Sequence, residues 1–245
     1  MGKNCTPGKT SKEVFIDYME QLLLMHFFLP GERLPSEREL ASRMGVSRPV
    51  IHDSLLELSA RGLITIRPRH GWIVNNFTKE GSLSLLNSLY RFSSVKTAGQ
   101  IDAGLEDLRR IILTESLKHY FSLPCGIDTE GDALPEALTH LNDKSKKIVN
   151  IKQRSAADIQ KAAEYDFLFY RRIIEAGGNI VFILLFNSSR DLYYEKIGGF
   201  FVRHPHSLSK AAELKDQFIA AVRSHAAAEA EQLLESMTSY SAYMT

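Results

Sequence analysis

Apolar residues over the first part of the chain fall at helical spacing. Val14, Phe15, Tyr18, Met19, Leu22 and Leu23 share one face, and the run stops before Pro30-Gly31, which predicts a helix over 10–28. Ser36 stands three residues before Glu39, the spacing of a capping box in which each side chain satisfies a free backbone donor of the other. Behind it, Leu40, Ala41 and Met44 make the apolar side of a short helix that Gly45 closes. Ser47 is placed to cap a further helix carrying Ile51, Leu55 and Leu58 inward, and Gly62 supplies the left-handed stop that helix ends favour. Two β-prone runs, Leu63–Ile66 and Trp72–Val74, then flank Arg67-Pro68-Arg69-His70-Gly71, a turn-rich connector that reads as a hairpin. Helix, helix, turn, helix, hairpin is the order of a winged helix.

Beyond the hairpin the period-two signal vanishes. Leu83–Phe92, Ile101–Phe121, Ala156–Ala176, Asn179–Lys196, Ser209–Arg223 and Ala226–Met244 all carry apolar residues at helical period. Between them, 122–154 holds glycines, prolines, acids and a Lys144–Lys147 cluster, and reads as a long connection with one helix, Leu134–Leu141. The expected fold is therefore mainly α: a winged helix-turn-helix domain over 1–77, a polar linker at 78–82, and an all-helical bundle over 83–245.

Composition narrows the function classes. At 245 residues, 44% hydrophobic and 24% charged, the chain has ordinary globular values for two domains, which excludes collagen-like, coiled-coil and wholly disordered readings. Lys and Arg total 30 against 29 Asp and Glu, so any basic surface must be local. Cys5 and Cys125 are too few for a disulfide framework or a paired-cysteine zinc cluster, and are expected to be plain thiols in a reducing compartment. The longest apolar runs, such as Ile180–Phe186, fall short of the roughly 18 residues of a membrane span, and 4–12 is polar where a signal peptide needs its apolar stretch. The expectation is a cytoplasmic protein with no membrane partner. A glycine-rich phosphate loop, a nucleophile elbow and a His-Glu-x-x-His helix are all absent from the sequence, so no catalytic residue is expected and the chain does not read as an enzyme.

The chemistry sits on the second helix of the turn. Opposite Ile51, Leu55 and Leu58 it offers Ser47, Arg48, Pro49 and His52 near its N-terminus, where a helix lying in the major groove reaches base edges, and Arg38 opens the bracing helix. Arginine can pair with guanine through two hydrogen bonds, worth about 1 to 3 kcal/mol of discrimination. Arg67 and Arg69 on the hairpin suit phosphates, and His70 can enter a groove where Gly71 permits close backbone approach. Double-stranded operator DNA is the expected partner.

The string Pro30-Gly31-Glu32-Arg33-Leu34-Pro35-Ser36-Glu37-Arg38-Glu39-Leu40-Ala41, then Gly45-Val46-Ser47-Arg48, Leu55, Leu58, Gly62-Leu63-Ile64 and Gly71, resembles the DNA-binding domain of GntR-family bacterial transcription regulators over about residues 12 to 76. The resemblance implies that Arg38 and Arg48 contact operator DNA and that the wing inserts at the minor groove. One departure matters: where the family usually has an arginine four residues after Arg48, this chain has His52, and a neutral imidazole cannot make the same bidentate guanine contact.

Asn75-Asn76-Phe77, Asp107-Leu108-Arg109, Tyr165-Asp166-Phe167, Gly178-Asn179 and the segment from Leu192-Tyr193 to Ile197-Gly198 resemble the FadR-like branch, whose helical C-terminal domain binds long-chain acyl-coenzyme A. The resemblance implies a homodimeric, effector-controlled regulator, repression being the commoner output. Such a ligand needs an apolar slot between helices with cations at its mouth. Phe167, Phe182, Phe186 and Phe218 supply apolar surface, and Arg109, Arg110 and Arg190 are candidate phosphate partners, with Asp166, Tyr170, Tyr193 and Ser241 completing the expected effector site. The segment 236–245 lacks the glycine-rich, tryptophan-containing sequence of the branch, which leaves an organic acid, or a vestigial effector site, as alternatives to acyl-coenzyme A.

FadR-type domains often hold a metal through an aspartate and three histidines. Asp166 fits the first, but Tyr170, Lys215 and Met237 stand near where the histidines would fall, so no metal and no cofactor is expected and Asp166 is expected to pair inside the bundle. A metal-dependent carboxylate sensor is the alternative. His119, His140, His204, His206 and His225 do not restore the ligand set by spacing.

Overall fold

The computed structural model describes residues 10–92, 95–123 and 133–238, without the side chains of 95–98. Cys5, Cys125 and Ser241 lie outside the described residues. The chain divides into two compact units, 1–101 and 102–245.

In the first unit, α1 (Ser11–Leu24) opens on a capping box between Thr10 and Glu13 and ends four residues before the expected limit. Ser36 and Glu39 form the second capping box, in front of α2 (Glu37–Met44), which Gly45 closes in the left-handed conformation. Ser47 occupies the N-cap of α3 (Arg48–Ala60), but its hydroxyl makes no capping hydrogen bond; Pro49 in the first turn starts this helix instead, its fixed φ suiting a position that needs no donor. β1 (Ile64–Arg67) and β2 (Gly71–Val74) pair antiparallel, with Arg67 opposite Gly71. The approach to α2 adds a third edge to this wing: Leu34 N donates to Trp72 O at 2.9 Å and Val74 N to Glu32 O at 2.9 Å. Phe15, Met19, Ile51, Leu55, Leu58, Ile64 and Trp72 are buried together, each large apolar side chain contributing about 1.5 to 3 kcal/mol.

The expected linker at 78–82 is instead built into this unit. Residues 77–80 form a short turn of helix, α4 (Phe77–Glu80), and its last carbonyl explains Gly62: at φ 82°, a Cβ on Gly62 would lie 2.1 Å from the Glu80 oxygen. Leu85, Leu89 and Phe92, from a 3-10 turn (Leu83–Leu85) and α5 (Leu86–Phe92), pack on the winged-helix core. Glu20 of α1, buried, accepts hydrogen bonds from the Arg61 guanidinium and from the Ser88 hydroxyl of α5. Residues 83–92, expected in the second domain, thus group with the first, and the division falls at 101/102 within α6 (Val95–Ser122).

Among its described residues the regular elements of the second unit are all helices. α7 (Leu134–Val149) is twice the expected length: the Lys144–Lys147 cluster read as loop is helix, because Asn142, Ser145 and Ile148 turn inward at spacing three. Asn142 donates to Ala212 O and Asp216 Oδ1, both at 2.9 Å, tying α7 to α11 (Ser207–Arg223). α8 (Ala156–Ala176) has the predicted limits and packs against α7 and α10. The single helix expected over 179–196 is two, α9 (Ile180–Ser188) and α10 (Arg190–Arg203). The break at Ser189 carries neither Pro nor Gly, but it falls inside the polar run Asn187-Ser188-Ser189-Arg190-Asp191. α12 (Ala227–Thr238) follows α11 after a turn in which His225 takes φ 53°. Leu113, Leu138, Phe167, Phe169, Ile173, Phe218 and Val222 form the core.

Candidate nucleic-acid interface and interior cleft

The N-terminal turns of α2 and α3 meet through one carboxylate. Glu37, first residue of α2, accepts at Oε1 from His52 Nδ1 at 2.9 Å and from Trp72 Nε1 at 3.1 Å. Bracing helix, second helix and wing are therefore joined at a single oxygen. The His52 hydrogen bond holds the Glu37 carboxyl below its ordinary value, against some desolvation, with Trp72 and the nearby Arg48 charge adding to the effect. The same bond, then the Glu37 charge, raises the His52 imidazole above its ordinary value.

Around this junction Arg38, Ser47, Arg48, Pro49, Arg67, Arg69 and His70 are exposed, and Gly71 is half-buried. Arg38, Arg48, Arg67 and Arg69 make no ion pair among the described residues. Arg48 and His52 stand one helical turn apart and so share a face. Arg69 holds φ 66° at the tip of the wing, where His70 Nδ1 lies 3.0 Å from Pro68 O. Gly71 has φ 77°, and a Cβ there would approach the Arg33 guanidinium to 3.5 Å. The expected contact residues are thus exposed on α2, α3 and the hairpin, three elements joined at Glu37. His52 is exposed as well, but its ring is anchored to Glu37. The sequence reading missed Glu37, Trp72 and the exposed Arg33, because an acid in a first helical turn and an aromatic in a strand already have local explanations.

The second unit places its polar side chains inside. Asp166 is 3% exposed; its Oδ1 accepts from Lys215 Nζ at 2.6 Å, and its Oδ2 from the Tyr193 hydroxyl. Arg109, 6% exposed, donates to the Thr238 carbonyl, approaches the Tyr193 hydroxyl at 3.5 Å, and lies over the Tyr170 ring at 5.4 Å. Tyr170 donates to Met237 O at 2.9 Å. Arg109, Asp166, Tyr170 and Tyr193 therefore come together as expected, with Lys215 as the cation that pattern reading left out of the site. Arg110 does not join them: it is exposed and pairs with Asp107 at 3.3 Å. Arg190 is also exposed, 3.5 Å from Asn187, but its guanidinium lies over the Phe167 ring at 5.7 Å, and that ring stands edge-on to Tyr193. Arg110 is one position removed from the buried Arg109, and helical rotation carries it outward.

The donor set does not suit a divalent cation. Both oxygens of Asp166 are engaged, one by an ammonium, and Tyr170, Lys215 and Met237 offer no imidazole. Among the described residues no group of three or more His, Cys, Asp and Glu is placed to hold a metal. Beside the network a narrow cleft of about 40 Å³ opens between α6, α9 and α10, lined by Leu108, Ile112, Leu185, Phe186 and Leu192 together with Arg109 and Tyr193. Asp102 and Lys196, also on its wall, form an ion pair. Among the described residues no helix is long and apolar enough to cross a membrane.

Residues 12–74 match the family model described as bacterial regulatory proteins, gntR family, and residues 126–244 match the FadR C-terminal domain. The fatty acid metabolism regulator protein of Salmonella typhi is 27% identical over 195 residues, covering 80% of this chain and 74% of that protein. The protein of the same description from Salmonella newport (strain SL254) matches to the same extent. A solved structure described as "Lar controls the expression of the Listeria monocytogenes agr system and mediates virulence" aligns with a TM-score of 0.60 at 13% identity, covering 96% of each chain, a likeness of fold.

Proposed function

Since the chain belongs to the GntR family of bacterial regulatory proteins, with a FadR-type C-terminal domain, we propose that it is a homodimeric repressor that binds operator DNA and is released by an acidic effector with an apolar body. It is a transcription regulator and not an enzyme. The observation that carries the DNA reading is the junction at Glu37, where Arg38, Arg48, Arg67 and Arg69 point four guanidinium groups at solvent from three elements joined at one oxygen. Phosphate contacts from the wing arginines set register, and base-edge contacts from Arg48 and His52 set sequence. A homodimer presents two such junctions to adjacent half-sites.

For the effector, the cleft beside Arg109 and Tyr193 marks a place for an acid whose apolar part lies along Leu108, Ile112, Phe186 and Leu192; at about 40 Å³ it must widen to admit a fatty acyl-coenzyme A or a simpler organic acid. The relatives named as fatty acid metabolism regulators favour the former. A vestigial effector site is the second reading, favoured by one observation: Arg109 and Lys215 already have internal acceptors in Thr238 O and Asp166. Control requires that the effector bind the DNA-competent and incompetent arrangements unequally.

The test has two parts. Full-length protein is used to select duplexes from a random pool, and the operator reading fails if none is enriched. Unfolding of the same protein is then followed with long-chain acyl-coenzyme A, the matching free fatty acid, or neither. A ligand at a hundred times its dissociation constant stabilises by about 2.7 kcal/mol, which shifts the transition readily, and the same ligand should weaken the selected complex. No shift with either supports the vestigial reading and removes the effector from the proposal.

A further inference from the structure

His52 stands on the face of α3 that carries Arg48, and its surroundings make it a different kind of base reader from an arginine. A carboxylate oxygen only accepts hydrogen bonds, so the 2.9 Å contact between Glu37 Oε1 and His52 Nδ1 requires a proton on Nδ1 in both charge states of the ring. Trp72 Nε1, donating to that same oxygen at 3.1 Å, holds the carboxylate in place from the wing, and its ring stands edge-on to the imidazole at 6.5 Å. Tautomer and ring plane are thereby fixed by residues outside α3. The remaining nitrogen, Nε2, has no partner among the described residues, and the side chain is 48% exposed on the face it shares with Arg48.

We propose that Glu37 is a positioning residue that makes His52 a one-atom reader of the major groove, with Nε2 donating to a base acceptor when the ring is charged and accepting from a base amino group when it is neutral. A donor selects guanine N7 or O6, the strongest acceptor pair in the groove; an acceptor selects adenine N6 or cytosine N4. The base preferred at one position of each half-site should therefore change with pH. This rests on the DNA-binding reading above.

The groups that set the ring's charge are few. Glu37 faces it from α2, Trp72 from β2 without charge, and Arg48 and Asp53 lie on its own helix, Arg48 acting on the Glu37 carboxylate. The Glu37 bond and charge favour the imidazolium, so the change of preference comes on the alkaline side of an ordinary histidine. A single hydrogen bond of this kind gives a preference of about 3- to 10-fold, smaller than that of a bidentate arginine contact.

Selection from random duplexes with the full-length protein at about pH 5.5 and about pH 9, with pH-titrated anisotropy on the winning sequences, tests this. Wild type should enrich guanine at one position of each half-site at the lower pH and adenine or cytosine there at the higher, with the other positions unchanged. His52→Ala should lose preference at that position alone, at both pH values. Glu37→Gln, which keeps an acceptor for Nδ1 but removes the charge, should change preference at a lower pH than wild type, a shift that loss of mere packing would not produce. Identical preferences of wild type at both pH values, or a preference surviving in His52→Ala, would overturn the proposal while leaving the operator reading intact. Failure of wild type to enrich any duplex would remove both.

Discussion

Arg48 and Lys215 are both helical cations and meet opposite fates. Arg48 begins α3 with its guanidinium in solvent and no ion pair among the described residues, whereas Lys215 is 2% exposed with its ammonium 2.6 Å from Asp166. The contrast extends to their neighbours. Arg38, Arg67 and Arg69 are exposed in the first unit, while Arg109 in the second lies among Tyr170, Tyr193 and the Thr238 carbonyl. A cation left in water keeps its hydration and stays available to an external anion. One taken inside must find its acceptors in the fold, because an uncompensated buried charge costs several kcal/mol. Removal of a charge should therefore be read out as lost binding in the first unit and lost stability in the second.

The strongest test of that contrast is Lys215→Ala. It leaves Asp166 buried with the Tyr193 hydroxyl but without its counter-ion, and denaturant unfolding should show a loss of about 3 to 5 kcal/mol. Replacing the pair together, with Asp166→Leu and Lys215→Met, should recover much of this, since an apolar substitute strands no charge. A loss below about 1 kcal/mol for Lys215→Ala would mean that Asp166 is not held by the ammonium, and the contrast would fail on the interior side.

Next in size is Arg48→Ala. Its affinity for a selected operator should fall roughly ten- to a hundredfold, following the worth of one bidentate base contact, while the unfolding transition moves by less than about 0.5 kcal/mol. Equal affinity would break the contrast from the exterior side, and a large stability loss would show that the side chain is used inward.

How much of this was legible in the sequence follows the same divide. The winged helix could be read almost to the residue because its limits are set by short-range chemistry: Ser36 with Glu39, Gly45 and Gly62 in left-handed caps, and the turn-forming run between β1 and β2. The exposed arginines could be read too, since exposure follows from standing opposite an apolar stripe. What could not be read depended on residues far apart in the chain. Glu37 and His52 are 15 positions apart, Glu20 and Ser88 are 68, and Asp166 and Lys215 are 49, and neither member of these pairs marks the other. The continuation of α7 past Leu141 was hidden for a related reason, tertiary packing choosing the limit where local propensity was indifferent, whereas the break at Ser189 had a local signal in the polar run 187–191. Even so, Lys215 was visible as a residue that cannot ligate a metal while charged, though not as the partner of Asp166.

A smaller effect separates short-range from long-range stabilisation within the first unit. Ser36→Ala removes one half of the α2 capping box, in which Glu39 N donates to Ser36 Oγ at 3.3 Å and Glu39 Oε2 accepts from Ser36 N at 2.8 Å. The expected cost is about 1 kcal/mol in thermal or denaturant unfolding. Because the box orients the helix that carries Glu37, the His52 contact should also loosen, detectable as a more ordinary His52 titration by NMR. A stability loss with an unchanged His52 titration would show that Trp72 alone suffices to hold the carboxylate.

The smallest effect tests whether an exposed ion pair can report on the fold at all. Glu37 has its carboxyl lowered, so its contribution to stability is present above the ordinary carboxylate range and is lost as pH falls through the lowered folded value. His52 is raised, so its contribution is complete below the ordinary imidazole value of about 6.5 and disappears as pH climbs through the raised folded value. The two conditions overlap in a window bounded by the ordinary values, about 4.5 and 6.5, with flanks reaching outward to the shifted ones. The difference in melting temperature between wild type and His52→Ala should therefore be bell-shaped in pH, greatest inside that window and fading on both sides. Solvent screening keeps it small, since the imidazole is open to water. A difference that is flat across pH 4 to 9 would mean the 2.9 Å contact does not persist in solution, and the single-oxygen junction between α2, α3 and the wing would have to be carried by Trp72.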